Sequence, residues 1–162
     1  MNYIKYYPDT RIKVQKIDSN GIDHNMILVP TNITRHASEI LDRIDMHDKS
    51  SLLMELSKQA DFYAEHYPEI ISYSTALNEA WKMKKALEKN ISNPEIDEMY
   101  DRCIKAGALG AKLLGAGGGG FMLLWSDTNN IEKVKSALDE YLTIPFRVDY
   151  KGSEIIYHEE VK

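Results

Sequence analysis

The sequence predicts an α+β fold in which helices pack on one face of an antiparallel sheet that a β-hairpin precedes. Three observations predict this fold. Apolar and polar side chains alternate over residues 3–17, as they do in strands. Residues 34–104 repeat apolar side chains at the spacing of amphipathic helices. Beyond residue 108, two short apolar runs flank a glycine run, and the pattern of one more helix and strand follows. This order is that of a ferredoxin-like sheet.

The first elements are expected to be strands. The predicted hairpin spans residues 3–17 and turns at residues 8–9, where proline precedes aspartate. Residues 20–21, Asn-Gly, predict the next turn. The continuous apolar run at residues 26–29 then predicts a strand that is buried on both faces.

Helices are expected to fill the middle of the chain. A short helix is predicted over residues 34–44, and a longer one runs from residue 50 to the proline at position 68. Another helix follows over residues 70–87. Asn93 and Pro94 then open a fourth, because asparagine caps helices well and proline suits the first helical position. After the glycine run we expect a strand at 121–125, a helix at 131–142, a strand at 146–150 and an edge strand at 155–156.

Composition excludes several classes of protein. A chain of 162 residues fits one compact domain. Its formal net charge of −5 disfavours a nucleic-acid partner, since polyanions are repelled. The single cysteine, Cys103, allows no internal disulfide, and the five histidines lack the spacing of metal ligands. Without a secretory signal or an apolar run near the roughly 20 residues of a membrane span, the expected location is the cytoplasm.

Glycine is concentrated in one short window. Seven of the nine glycines lie between Gly107 and Gly120. Each glycine costs up to about 1 kcal/mol relative to alanine in a regular element, so a run persists where the backbone needs positive φ or a close approach. A flexible hairpin is one interpretation. A loop that presents amides to a phosphate, or to a neighbouring phosphate loop, is the interpretation we favour. The run matches neither the Walker A nor the Rossmann motif.

Residues 109–121, Leu-Gly-Ala-Lys-Leu-Leu-Gly-Ala-Gly-Gly-Gly-Gly-Phe, resemble the third signature motif of the GHMP small-molecule kinases. Residues 31–41, which include Arg35, resemble the segment of bacterial heptose-phosphate kinases in which a strand runs into a helix. Trp81 with Lys84, and residues 91–97, are similar to the helices ahead of the glycine motif in that branch. The resemblance covers essentially the whole chain.

The resemblance implies a carboxy-terminal kinase domain over residues 1–162. Residues 1–29 would continue from an amino-terminal half that holds the main phosphate loop and the catalytic aspartate. The intact enzyme would use ATP and Mg²⁺ to phosphorylate a hydroxyl of a heptose phosphate. This chain would contribute no catalytic residue and no metal ligand, and alone it would be inactive. Its expected partners are the amino-terminal half, encoded by the same gene or separately, and a sugar phosphate, with a homo-oligomer also possible.

Two alternatives stay open. In the first, the chain is a non-catalytic binding or assembly module. In the second, its substrate choice is that of a galactokinase or a mevalonate kinase, because specificity in this superfamily depends on both halves of the enzyme.

The resemblance also assigns site residues. Arg35 follows a buried strand, where a guanidinium suits an anionic ligand, although a surface arginine is the simpler interpretation. Lys84 lies near Trp81 and would pair with the sugar phosphate, or would instead cover apolar surface. Asn32 stands where the branch usually has glycine after threonine. The predicted substrate-binding residues are Thr31, Arg35 and Lys84, and the residues predicted to support the phosphate loop are Gly115, Gly117, Gly118 and Gly119.

Overall fold

The structure is a computed structural model that describes residues 2–18, 22–45, 47–66 and 70–157. The turn predicted at residues 20–21 and the proline at position 68 lie outside these ranges. The strands are β1 (Asn2–Tyr6), β2 (Ile12–Lys16), β3 (Met26–Pro30), β4 (Ala108–Leu113), β5 (Phe121–Ser126) and β6 (Ile144–Pro145). The helices are α1 (Ala37–Leu41), α2 (Ser50–His66), α3 (Ile70–Leu87), α4 (Pro94–Lys105) and α5 (Ile131–Ser136).

Strands β1 and β2 form the predicted hairpin, and the two faces of this hairpin differ in their surroundings. On one face, the Tyr3 hydroxyl and Lys5 Nζ both donate to the carboxylate of Asp61 in α2, the lysine at 2.7 Å. The opposite face is apolar, and its side chains are 44–72% exposed. We call this surface the hairpin face; it consists of Ile4, Tyr6, Ile12 and Val14.

The other four strands form an antiparallel sheet in the order β4-β5-β3-β6. This order confirms the predicted α+β, ferredoxin-like sheet, because each helical crossover skips one strand: β5 lies between β3 and β4, and β3 lies between β5 and β6. Apolar side chains of β3, β4 and β5 pack against helices α4 and α5, and this layer is the core of the domain. Its fully buried members include Val29, Leu113, Met122, Leu124, Ile96, Cys103, Val134 and Leu138.

Helix α3 covers the outer edge of β4. The side-chain amide of Asn78 donates to Leu109 O at 3.0 Å, and its carbonyl accepts from Ala111 N at 3.1 Å. Gly110 allows the helix to come this close, because a Cβ atom there would lie 2.9 Å from Ser74 O. Two backbone groups of this edge strand are therefore bonded to a helix side chain instead of another strand.

Helix α4 begins as predicted, but α5 is shorter than predicted. Asn93 Oδ1 accepts from Ile96 N at 2.9 Å, which confirms Asn93 as the cap of α4. The helix expected over residues 131–142 ends at Ser136. Arg102 of α4 donates to Ala137 O, so this carbonyl is bonded to a side chain outside α5. The chain tightens there into turns.

The last two predicted strands are largely wrong. The strand expected over residues 146–150 is instead β6, and it lasts only two residues. Ile144 pairs with Leu28 and Pro145 with Ile27, so the antiparallel register reaches the start of β3 one residue later. Beyond that point β3 has no further residues with which β6 could pair. The edge strand expected at residues 155–156 is absent from the described part, where Ile156 is 97% exposed.

Candidate functional site

The glycine run forms the connection between β4 and β5, and we call it the glycine loop (residues 115–120). Leu114 N donates to Phe121 O at 2.9 Å and closes its base. Four glycines of the loop occupy the left-handed region, which other residues rarely adopt. A tight hairpin turn needs at most two such residues, so the loop has a specific shape beyond that of a turn. The four are Gly115, Gly117, Gly118 and Gly120, with φ of +71°, +115°, +74° and +104°.

Two amides of the glycine loop are bonded to the chain itself. Gly118 N donates to Ile91 O at 2.8 Å, and Gly120 N donates to Ile33 O at 3.1 Å. Within the described ranges, the amides of Gly117 and Gly119 have no such partner. The bonded amides fix the loop between two neighbouring segments. Over the described residues, the other four amides of the loop, those of Gly115, Ala116, Gly117 and Gly119, are left to meet a phosphate or another loop.

Thr31 ties the end of β3 to the glycine loop. Its backbone N and its hydroxyl both donate to Gly120 O, at 2.8 and 3.0 Å. The hydroxyl also accepts from Ile33 N at 3.3 Å, and the residue is buried. Because these bonds use the hydroxyl, its evident role is to fix the loop. The predicted contact of Thr31 with substrate stays a prediction.

Arg35 lies over the glycine loop at the edge of a cavity. A Cβ atom on Gly118 would lie 2.5 Å from Arg35 Cδ, so a side chain at position 118 would push the arginine out of its place over the loop. In the described part of the chain no carboxylate pairs with Arg35, which is exposed. Helix α1 begins two residues later than Arg35, not at residue 34 as predicted, so the arginine lies on the segment that leads into the helix.

The cavity beside Arg35 has a volume of about 530 Å³. It opens at the end of the sheet where β3 stops and β5 begins. An unpaired guanidinium at such a cavity suits a ligand that carries a phosphate or carboxylate, because the planar donors match these groups in pairs. The cavity is lined by Pro30, Asn32, Ile33, Thr34, Arg35, Gly119, Gly120 and Phe121.

Lys84 lies on the other side of the glycine loop and contacts backbone. Its Nζ donates to Leu113 O at 3.0 Å and to Gly115 O at 2.5 Å. It also lies 5.9 Å from the ring centre of Trp81. Burial, together with the charge of Lys112, lowers the pKa of Lys84 to about 8 from its usual 10.5. The amine thus holds the point where the chain leaves β4, and its predicted contact with substrate stays a prediction.

Some residues of the site escaped the sequence analysis. Ile33 and Ile91 hold the glycine loop through backbone carbonyls, which any residue supplies and no pattern reveals. Asn78 was visible in principle, since a polar amide beside the apolar stripe of α3 signals a buried partner. Its bonds to β4 hold the strand that leads into the loop.

The described residues do not form a metal centre. Among them, no three His, Cys, Asp or Glu side chains lie close enough together to hold a metal ion. Over the same residues, none of the helices is both long and apolar enough to cross a membrane.

Comparison with known proteins agrees with this geometry. The family described as "GHMP kinases C terminal" matches residues 62–144. The D-glycero-alpha-D-manno-heptose 7-phosphate kinase of Campylobacter jejuni is 28% identical over 145 residues, covering 78% of this chain and 40% of that protein.

Two solved structures share the fold. The mevalonate kinase of Methanococcus jannaschii superimposes with a TM-score of 0.67 at 21% identity, covering 84% of this chain and 45% of that one. The Streptococcus pneumoniae phosphomevalonate kinase, solved with phosphomevalonate and AMPPNP, gives a TM-score of 0.62 at 16% identity, covering 82% and 40%.

The fold is therefore one that small-molecule kinases use. The chain belongs to the GHMP kinase C-terminal family, since the family match covers 83 of its 162 residues. It spans 40% of the length of the Campylobacter kinase and less than half of either solved kinase.

Proposed function

We propose that this chain is the carboxy-terminal half of a cytoplasmic, ATP-dependent sugar kinase that phosphorylates a hydroxyl of a heptose phosphate. One observation carries the proposal: the unpaired guanidinium of Arg35 lies over Gly118 beside a cavity of about 530 Å³. This guanidinium suits the phosphate that the sugar already carries. The identity with the Campylobacter heptose 7-phosphate kinase supports a heptose phosphate as substrate.

Each residue of the site has a separate role in this proposal. Arg35 binds the sugar's phosphate, and the glycine loop lies against the phosphate loop that an amino-terminal half supplies. Gly115, Gly117, Gly118 and Gly119 give that contact its shape. Phosphoryl transfer depends mainly on positioning and on neutralising charge, so a loop fixed by Ile33 and Ile91 carbonyls suits this supporting role. ATP with magnesium supplies the transferred phosphoryl group.

The division of the enzyme is part of the proposal. Residues 1–162 form the carboxy-terminal domain, and residues 1–29 continue from the amino-terminal half. The exposed hairpin face is consistent with this, because an apolar sheet surface of this kind is normally covered.

The experiment is an ATP-consumption assay with D-glycero-D-manno-heptose 7-phosphate. This chain alone should give no turnover above background, and the chain combined with its amino-terminal half should turn over. In the combined enzyme, Arg35→Gln should raise the KM for the sugar phosphate at least about 10-fold, because a charge-assisted bond is lost. Arg43→Gln removes an exposed arginine eight positions further along and should leave KM unchanged.

Turnover by this chain alone would overturn the idea that it is half of an active site. Equal KM values for the two arginine variants would overturn the role of Arg35. A panel that includes galactose and mevalonate tests the other substrate choices.

A non-catalytic assembly module is the second candidate. The hairpin face favours it, because an exposed apolar surface is what a module needs to bind another protein. Absence of turnover in the combined enzyme, with tight binding between the two halves, would support this candidate.

A further inference from the structure

Asn32 has a backbone conformation that residues other than glycine rarely adopt, with a φ of +59°. Asparagine tolerates the left-handed region better than most residues, but glycine is free of the penalty. Such strain persists where the neighbouring structure enforces it. Both neighbours of Asn32 are held: Thr31 N donates to Gly120 O at 2.8 Å, and Ile33 O accepts from Gly120 N at 3.1 Å.

Glycine would fit this backbone without strain, so the backbone conformation alone does not explain why position 32 carries an asparagine side chain. The side chain is exposed, and within the described ranges its amide has no hydrogen-bond partner. It lines the cavity of about 530 Å³ together with Arg35 and Gly119. Two N–H donors and one carbonyl acceptor are therefore available to a ligand in the cavity.

We propose that Asn32 is a specificity-determining residue whose side-chain amide hydrogen-bonds a hydroxyl of the sugar while Arg35 binds the phosphate. This inference rests on the proposed function. A hydroxyl both donates and accepts, and an amide can meet it in either role. Arg35 follows Asn32 by three positions, and both residues line the same cavity, so the two side chains can bind different parts of one phosphorylated polyol.

Asn32 would therefore give the site a preference for ligands that carry this hydroxyl, which a glycine at position 32 would not give. A site that hydrogen-bonds a substrate hydroxyl discriminates against ligands that lack it, because its own polar group is then left unpaired. Inorganic phosphate has no such hydroxyl and should bind to Arg35 alone.

The test is Asn32→Gly in the combined enzyme, with Thr10→Gly as the matched control. Thr10 has a φ of +66° in the hairpin turn, so both variants relieve the same kind of strain, and Thr10 does not line the cavity. Both should melt at or above the temperature of the parent. Asn32→Gly should raise the KM for D-glycero-D-manno-heptose 7-phosphate about 10-fold, as expected for one lost hydrogen bond. The KM for ATP and the inhibition constant of inorganic phosphate should not change.

Each other outcome counts against the proposal. If the parent turns over the sugar phosphate and Asn32→Gly has the same KM, the role of Asn32 is wrong and the proposed function stands. If the KM for ATP or the inhibition by inorganic phosphate changes equally, Asn32 acts only by shaping the backbone. If the parent does not turn over any sugar phosphate, the proposed function fails and this inference fails with it.

Discussion

Arg35 and Gly118 are in direct contact, so that a Cβ atom on the glycine would lie 2.5 Å from Cδ of the arginine. The glycine loop and the arginine beside the cavity are therefore one unit. A side chain added at position 118 would therefore displace that of Arg35.

Gly118→Val should remove the proposed activity before it unfolds the domain. Valine at a φ of +74° is strained, at a cost of about 1–3 kcal/mol, and its side chain would displace Arg35. A domain of ordinary stability, about 5–15 kcal/mol, survives that cost. Gly152→Val is the matched control, because Gly152 has a φ of +78° and a Cβ atom there would meet nothing within 4 Å.

The measurements for these two variants are thermal melting and steady-state kinetics of the combined enzyme on one preparation. Both variants should lose similar stability, and only Gly118→Val should lose turnover. Parent-like turnover and ATP affinity in Gly118→Val would mean that the glycine loop is merely a connection.

Lys84 should make the stability of the domain rise with pH above 8. Its pKa in the folded chain is about 8, and its usual value is 10.5. Below pH 8 both states carry the proton, and the folded state bears the full penalty of a buried charge. Between the two pKa values the unfolded state binds more protons than the folded state, so the free energy of unfolding increases with pH.

Urea unfolding at pH 7.5 and 9.5 checks this prediction. The parent should gain about 1–2 kcal/mol relative to Lys84→Met over this range. Lys82→Met, which removes an exposed lysine paired with Glu79 on the same helix, should follow the parent. Equal pH slopes in the parent and Lys84→Met would contradict the buried charge.

Cys103 should be unreactive in the folded chain. It is fully buried among the core side chains, and burial raises the pKa of its thiol to about 12. A disulfide reagent at pH 8 should therefore label it only after unfolding. Since the unfolded thiol loses its proton near pH 9, this residue lowers stability as pH rises from 9 towards 12, opposite to Lys84. Rapid labelling under native conditions would contradict its burial.

The hairpin face should promote self-association of this chain. Its four side chains form an apolar patch on a two-stranded sheet whose other face is attached to Asp61. Light scattering over a concentration series should give a mass above that of the monomer. Val14→Lys should restore the monomer, whereas Gln15→Lys adds the same charge to the opposite face and should not. A parent that is monomeric at every concentration would contradict this.

Local chemistry was predictable from the sequence. The Asn93 cap, the hairpin over residues 3–17 and the positive φ angles of the glycine run follow from residue type alone. Apolar spacing also predicted the strands of the sheet, because the short continuous apolar runs at residues 26–29 and 121–125 are typical of buried strands.

Features that depend on distant backbone groups were not predictable. β6 pairs only with the first residues of β3, and the carbonyl of Ala137, just beyond the end of α5, accepts from an arginine on α4. The sequence could not distinguish a Lys84 that donates to two carbonyls from a Lys84 that covers apolar surface, because both arrangements place the side chain near Trp81. The spacing of residues in the sequence does not indicate which carbonyl a long side chain reaches.

Both borders of the four-stranded sheet resist the addition of a foreign strand. The Asn78 amide occupies one border through its bonds to Leu109 and Ala111, and the other border is two residues long and contains Pro145, which has no N–H to donate. Fibril growth by edge-to-edge stacking therefore has no template on this sheet, even though its central strands are strongly apolar. The hairpin, by contrast, still exposes an apolar face to a partner.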